Sequence, residues 1–136
     1  MAIQLSVLVR NARLDSIETT VGVSAQVMLY SLAPPASCSV SDTGTLLATF
    51  QLASDWAGAA SAGAKAFSNT PIQDTSADGT GTVGHFRLKN SAGTIVHMQG
   101  TCQTSGASAD MTIDNPAIVA GQTVQVTSWT LTDGNA

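Results

Sequence analysis

A chain of 136 residues and 13.8 kDa is long enough for one domain to bury a core without disulfides or metals. Charged residues make up only 10%, the net charge is −4, and the five cations are scattered as Arg10, Arg13, Lys65, Arg87 and Lys89; with no basic stripe to neutralise phosphates, nucleic acid is not an expected partner. No run approaches the roughly 18 apolar residues of a membrane span, so no membrane partner is expected either.

The opening Met1-Ala-Ile-Gln-Leu-Ser-Val-Leu-Val-Arg10 does not read as a signal peptide, because its apolar stretch is short and its arginines follow that stretch. The expected place of synthesis is a cytoplasm, with Cys38 and Cys102 reduced and buried. Neither has a CxxC partner, so no zinc site is expected. The best helical pattern lies within residues 6–20, where Leu14, Ile17 and Val21 share a face and Gly22 supplies a stop. Leu5, Val7, Leu8 and Val9 precede it without clear period, as the helix's first turns or as an extended arm. From Gly22 the pattern is β. Val23, Ala25, Val27 and Leu29 alternate with polar or larger neighbours, and Pro34-Pro35 forces an extended turn. Residues 45–52 place Leu46, Ala48, Phe50 and Leu52 on one face. Residues 53–63, rich in Ala, Gly and Ser, read as the most flexible stretch.

Residues 84–88 and 95–99 read as a hairpin around Asn90-Ser-Ala-Gly93. A four-residue turn there pairs 89 with 94 and sets His85 opposite Met98 and His97 opposite Phe86. Neighbouring cross-strand positions face opposite ways, so the two imidazoles are kept apart; a one-residue slip would bring them together as a metal pair. A short strand at Met111 and Ile113, a break at Asn115-Pro116, a turn at Gly121-Gln122 and a long strand over 123–132 complete the chain. Short strands, frequent turns and one helix predict a mainly β fold, an antiparallel β-sandwich of jelly-roll type with an N-terminal helix. It forms a single domain over 1–136, with 1–22 as arm or helix and 23–136 as the β part.

Signals for chemistry are weak. There is no GxSxG elbow and no phosphate-binding glycine motif. Asp74-Thr-Ser-Ala-Asp78-Gly79-Thr80 imitates the start of a calcium loop, but position twelve is His85 and no helices flank it, so a polar turn is expected. Asp110 and Asp114 are equally unspecific as an acid/base pair. No catalytic residue, cofactor or metal ligand is assigned, and an enzyme is not expected. The shortage of Lys and Glu instead implies a surface of hydroxyl, amide and small apolar groups, which loses little side-chain entropy under a partner. The plainer reading is that Ser and Thr line the outer faces of strands. Trp129, on a strand, is expected in the core. Trp56, between a strand and the 53–63 stretch, either caps the core or anchors an interface.

Several segments carry a resemblance. They are residues 5–22 (Leu-Ser-Val-Leu-Val-Arg-Asn-Ala-Arg-Leu-Asp-Ser-Ile-Glu-Thr-Thr-Val-Gly), Thr43-Gly-Thr-Leu-Leu-Ala48, Ser54-Asp-Trp56, Gly84-His-Phe-Arg87 and the tail Leu131-Thr-Asp-Gly-Asn-Ala136. Together they resemble a family of phage virion structural proteins, nearest the capsid cement, or decoration, protein of Bordetella-type short-tailed phages. The chain departs from that family's pattern at residues 27–36 and 67–72. The resemblance implies a jelly roll that forms homodimers on the outside of an icosahedral head and clamps neighbouring major capsid protein subunits. On this expectation the chain is made in the host cytoplasm and resides on the capsid exterior. Leu5, Val7, Leu8, Val9, Pro34, Pro35 and Trp56, apolar and near element ends, are the expected contacts. Rival expectations are a tail, neck or head-fibre component and a carbohydrate-binding β-sandwich, the latter disfavoured by its few aromatics.

Overall fold

The structure is a computed structural model, and its described residues are 3–68, 71–104 and 110–135. Helix α1 (Val7–Val21) begins where Ser6 caps it, the Ser6 Oγ accepting the Val9 N–H at 3.3 Å. It stops at Gly22, whose φ of +88° suits a residue without Cβ and whose N–H returns to the Glu18 carbonyl at 2.9 Å. Leu14 and Val21 are buried and Ile17 packs beside them, which is the face expected from their spacing.

Nine strands follow among the described residues: β1 (Gln26–Ser31), β2 (Leu46–Gln51), β3 (Ala64–Ala66), β4 (Ile72–Asp74), β5 (Gly81–Lys89), β6 (Val96–Gln103), β7 (Met111–Ile113), β8 (Ala117–Ile118) and β9 (Val124–Thr132). They form one curled sheet in the order β2-β1-β5-β6-β7-β9-β3, with β4 also on β9 and β8 on β5. The curl brings the two ends together: the Asp74 carboxylate, at the end of β4, accepts the Thr49 N–H of β2 at 3.0 Å, and Asp78 N–H donates to the Leu47 carbonyl at 2.9 Å. The result is the expected mainly β, sandwich-like fold with an N-terminal helix. One pairing departs from an all-antiparallel sheet, because β6 and β7 run parallel.

Register decides which side chains enter the core. In β1 and β5 the partners Val27↔Leu88 and Leu29↔Phe86 point inward, while Gln26↔Lys89, Met28↔Arg87 and Tyr30↔His85 share the opposite face. The inner volume is organised by a pile of aromatic rings. Phe67 lies between Trp56 (centroids 5.2 Å) and Trp129 (3.5 Å, planes 6° apart), and Phe86 meets Trp129 edge-on at 4.9 Å.

Three local expectations are corrected. The hairpin register is not the one read from a four-residue turn: Lys89 pairs with Val96, Leu88 with Met98 and His85 with Thr101. The Asn90 side chain is the cause. Its Oδ1 accepts the N–H groups of Thr94 and Ile95 while the Asn90 backbone N–H donates to the Ile95 carbonyl, which lengthens the loop through Ile95. Val23 is exposed rather than inward, because the backbone turns at Gly22 and Ser24, both at positive φ, before β1 begins. In β2 both Leu47 and Ala48 are fully buried, where strict alternation expected only Ala48, and β1 carries a register shift opposite them.

Gly84 marks a close backbone approach. A Cβ built there would land on the carbonyl group and N of Leu32, neither of which can yield as a side chain would. Gly84→Ala is expected to lose about 1–3 kcal/mol, read as a lower urea midpoint at unchanged slope.

Candidate interaction surface

The helix is fastened to the sheet largely through polar groups. Asn11, Asp15 and Glu18 lie along one face. Their side-chain oxygens accept the backbone N–H groups of Gly63 (2.9 Å), Ala60 (2.9 Å) and Ala57 (3.2 Å), so an ascending row of acceptors meets a descending row of amides. Residues 53–63, read from composition as flexible, are thereby tied down. Lys65 on β3, 2% exposed, closes the arrangement with its ammonium on Asp15 (2.9 Å), Glu18 (3.0 Å) and the Gly58 carbonyl (2.8 Å). Burial pushes the Lys65 ammonium down, but the hydrogen bonds from Asp15 and Glu18 outweigh it and hold the group above its ordinary value. The same Lys65 hydrogen bond, and then the Ala60 N–H, hold Asp15 below the usual carboxylate range. At the chain ends, Arg10 and Arg13 both reach Asp133, and the Leu5 N–H donates to the Asn135 carbonyl at 2.7 Å.

This fastening leaves the first helical turn facing outward. Leu8 is 77% exposed, and Val7, Val9 and Ile3 are exposed beside it. Leu5 is half-buried. Pro34 and Pro35 are half-buried in the 32–45 loop, where the Pro35 carbonyl accepts the Gln99 amide at 2.6 Å. Trp56 is not available to a partner: it is 1% exposed, its ring stacks on Phe67, and its Nε1–H donates to the Gly22 carbonyl at 2.9 Å. Its place on the expected surface is corrected, because the strand-to-loop passage turns the indole inward under the helix C-terminus. Among the described residues no hydrogen bond or ion pair joins α1 to the 32–45 loop, so the two apolar segments stand as separate features. Of the segment 67–72, residues 69 and 70 lie outside the described residues.

The 32–45 loop covers the outer face of β1 and β5, and it does so through a cluster that the sequence reading missed. Arg87 is fully buried. Its guanidinium donates to Asp42 and to the carbonyls of Ser37, Cys38 and Val40 at 2.6–3.3 Å. Lys89 donates to the second Asp42 oxygen at 2.6 Å and to the Tyr30 hydroxyl at 3.2 Å. Burial pushes Asp42 up, but hydrogen bonds from Lys89, Arg87 and Tyr30 prevail and hold it below its ordinary value; the same bonds, against burial, hold Lys89 above its own. For Tyr30 burial dominates and raises the phenol. The available signal was the alternation His85, Arg87, Lys89 against Phe86 and Leu88, read without the loop that would cover its polar side.

Several of the remaining titratable groups have structural tasks. His85 is buried, stacked on Tyr30 at 5.3 Å with its Nδ1 on the Leu32 carbonyl at 2.9 Å. His97 lies at the register shift of β6, so the pairing does not set the two imidazoles opposite each other. No group of three potential metal ligands occurs among the described residues. Asp74 accepts the Ser76 N–H and Asp78 the Thr49 hydroxyl, as a polar turn does. Asp110 holds Thr101, and Asp114 holds the Asn115 and Gln125 amides. All six aromatic side chains are buried, which leaves no ring exposed for a sugar to stack on.

Cys102 is buried and its thiol is pushed up to about 12 by burial alone, while Cys38 is partly exposed. Iodoacetamide at neutral pH is expected to label Cys38 in the folded protein and to reach Cys102 only after denaturation, with intact-mass spectrometry counting the adducts. Two adducts under native conditions would contradict the burial.

No family model matches this chain, and neither a curated protein nor a solved structure is significantly similar to it.

Proposed function

We propose that this chain is a structural virion protein that binds the outside of a phage head and stabilises contacts between major capsid protein subunits, acting as a homodimer. The observation that carries the reading is the apolar first turn of α1. Val7, Leu8 and Val9, with Ile3, face solvent on an element fixed by its polar face. An exposed cluster of large aliphatics on a chain so poor in charge marks a protein-contact site. The resemblance of residues 5–22 to phage cement proteins supplies the partner. Most carboxylates and cations of the described residues hold turns, loop and helix, which accords with a binding rather than a catalytic role.

Leu8→Asp tests the reading without disturbing the fold, because a side chain this exposed contributes within about 0.5 kcal/mol to stability. On purified heads lacking the protein, the variant is expected to bind at least about tenfold more weakly, equivalent to about 1.4 kcal/mol, with an unchanged melting curve. Equal occupancy of heads by variant and wild type would remove the proposal. A cyclic ring in solution, in place of a dimer, would point to a neck or tail component.

A further inference from the structure

The cleft beside the 37–42 segment holds more positive charge than the fold uses. It has a volume of about 670 Å³ and is lined by Arg87, Lys89, Asp42, Val40, Ile95 and neighbouring residues. Two buried cations share one carboxylate there, and no other acidic residue lines the cleft, so its side chains carry a net charge of +1 on a molecule of net charge −4. Arg87 Nε is buried without an acceptor among the described residues, and the Lys89 ammonium, which also lies 5.7 Å over the Tyr30 ring, engages two acceptors with its three hydrogens. Val40 and Ile95, 43% and 54% exposed, stand beside these cations as aliphatic surface.

We propose that this cleft receives the carboxylate of an aspartate or glutamate side chain from a protein partner. A single negative charge matches the surplus. A phosphate dianion would overshoot it and crowd Asp42, whose oxygens already lie 2.6 Å from each cation. The carboxylate would accept from the Lys89 ammonium, a charge-assisted bond in a partly desolvated setting. Val40 and Ile95 would cover the methylene carbons that carry it, and this favours a side chain on a protein over a free small anion. The inference stands on the charge balance of the cleft and does not depend on the virion reading.

The test is a titration of the full chain, followed through the backbone amides of Val40, Thr94 and Ile95 by NMR, with N-acetyl-glutamate methylamide as probe. Saturable shifts with a dissociation constant of about 1–10 mM are expected, weakening with added salt. N-acetyl-glutamine methylamide, the same shape without the charge, should bind at least about tenfold more weakly, the factor that about 1.4 kcal/mol represents. Lys89→Met should abolish the glutamate response and Lys89→Arg should retain it. If Lys89→Met does not fold, the comparison of the two probes on the wild-type protein decides alone. Equal shifts from the two probes, or no saturation by glutamate, would overturn the proposal, as would preferential binding of inorganic phosphate. The titration needs no capsid, so its failure is distinct from a failure of the head-binding experiment.

Discussion

Asp42→Ala is expected to lose roughly 3 kcal/mol of folding stability, at the low end of the range for removing one partner of a buried ion pair. Among the described residues the carboxylate is the sole charge partner of both Arg87 and Lys89, which are almost wholly withdrawn from water. Without it two buried cations face each other with only carbonyl and phenol oxygens for company. The Asp42 side chain is itself 37% exposed, so water compensates in part and keeps the loss from the top of that range. For a chain of this length the melting temperature should fall by about 10 °C.

The pH dependence follows from the directions of the three shifts. Asp42 titrates in the folded state below its ordinary 3.8, so its contribution is complete above that value and is lost as pH falls through the folded value. Lys89 titrates above its ordinary 10.5, so its contribution is complete below that value and is lost as pH rises through the folded one. Tyr30, raised above its ordinary 10.0, likewise contributes fully only below that value, so stability from this cluster should be flat from 3.8 to 10.0, and the acid limb should shrink in Asp42→Ala. A variant that melts with the wild type at every pH would show that the loop is held by its carbonyl contacts alone.

Trp129→Ala is expected to cost about 3–5 kcal/mol, the range for deleting a large aromatic from a packed core. Trp129 is the ring against which both Phe67 and Phe86 pack, and Phe67 in turn carries Trp56. Removing it opens a cavity at the meeting point of β5, β7 and β9, since Trp129 also pairs across to Met111. Chemical denaturation should show a shifted midpoint at constant slope if the fold survives, and loss of the cooperative transition if it does not. Trp129→Phe keeps most of the volume and removes a buried indole N–H that has no acceptor among the described residues, so its loss should be smaller, about 1–2 kcal/mol. Equal stability of Trp129→Ala and wild type would place the organising contacts of the core elsewhere.

What was legible in the residues is what local rules govern. The Leu14, Ile17 and Val21 spacing with Gly22 behind it gave a helix that the structure bounds at Val7–Val21, and the alternations around Val27, Phe50 and Phe86 gave strands. The hairpin register was lost because a single side chain, that of Asn90, collects two amides and redraws the turn. The polar cluster was lost for a different reason. Alternation along β5 separates His85, Arg87 and Lys89 from Phe86 and Leu88, yet says nothing about whether a loop fifty residues earlier in the chain (Arg87 to Ser37 and its neighbours) closes over them. Of the expected surface positions, Val7, Leu8 and Val9 are exposed, Leu5 and the two prolines are half covered, and Trp56 is interior. Composition could not place Trp56, because the indole's hydrogen-bond partner is the Gly22 carbonyl at the helix C-terminus, a tertiary fact.

The opposed rows of Asn11, Asp15 and Glu18 against the amides of Gly63, Ala60 and Ala57 also determine how the exposed turn meets the outside. Val7, Leu8 and Val9 are held at a fixed aim, so the partner proposed above would meet a preorganised ridge and need not immobilise a floppy arm. Each residue of a disordered arm would otherwise cost about 1–2 kcal/mol of backbone entropy to fix on contact. Loosening one rung, as in Asn11→Ala, should therefore blunt recognition from a distance, while every apolar atom of the ridge stays in place.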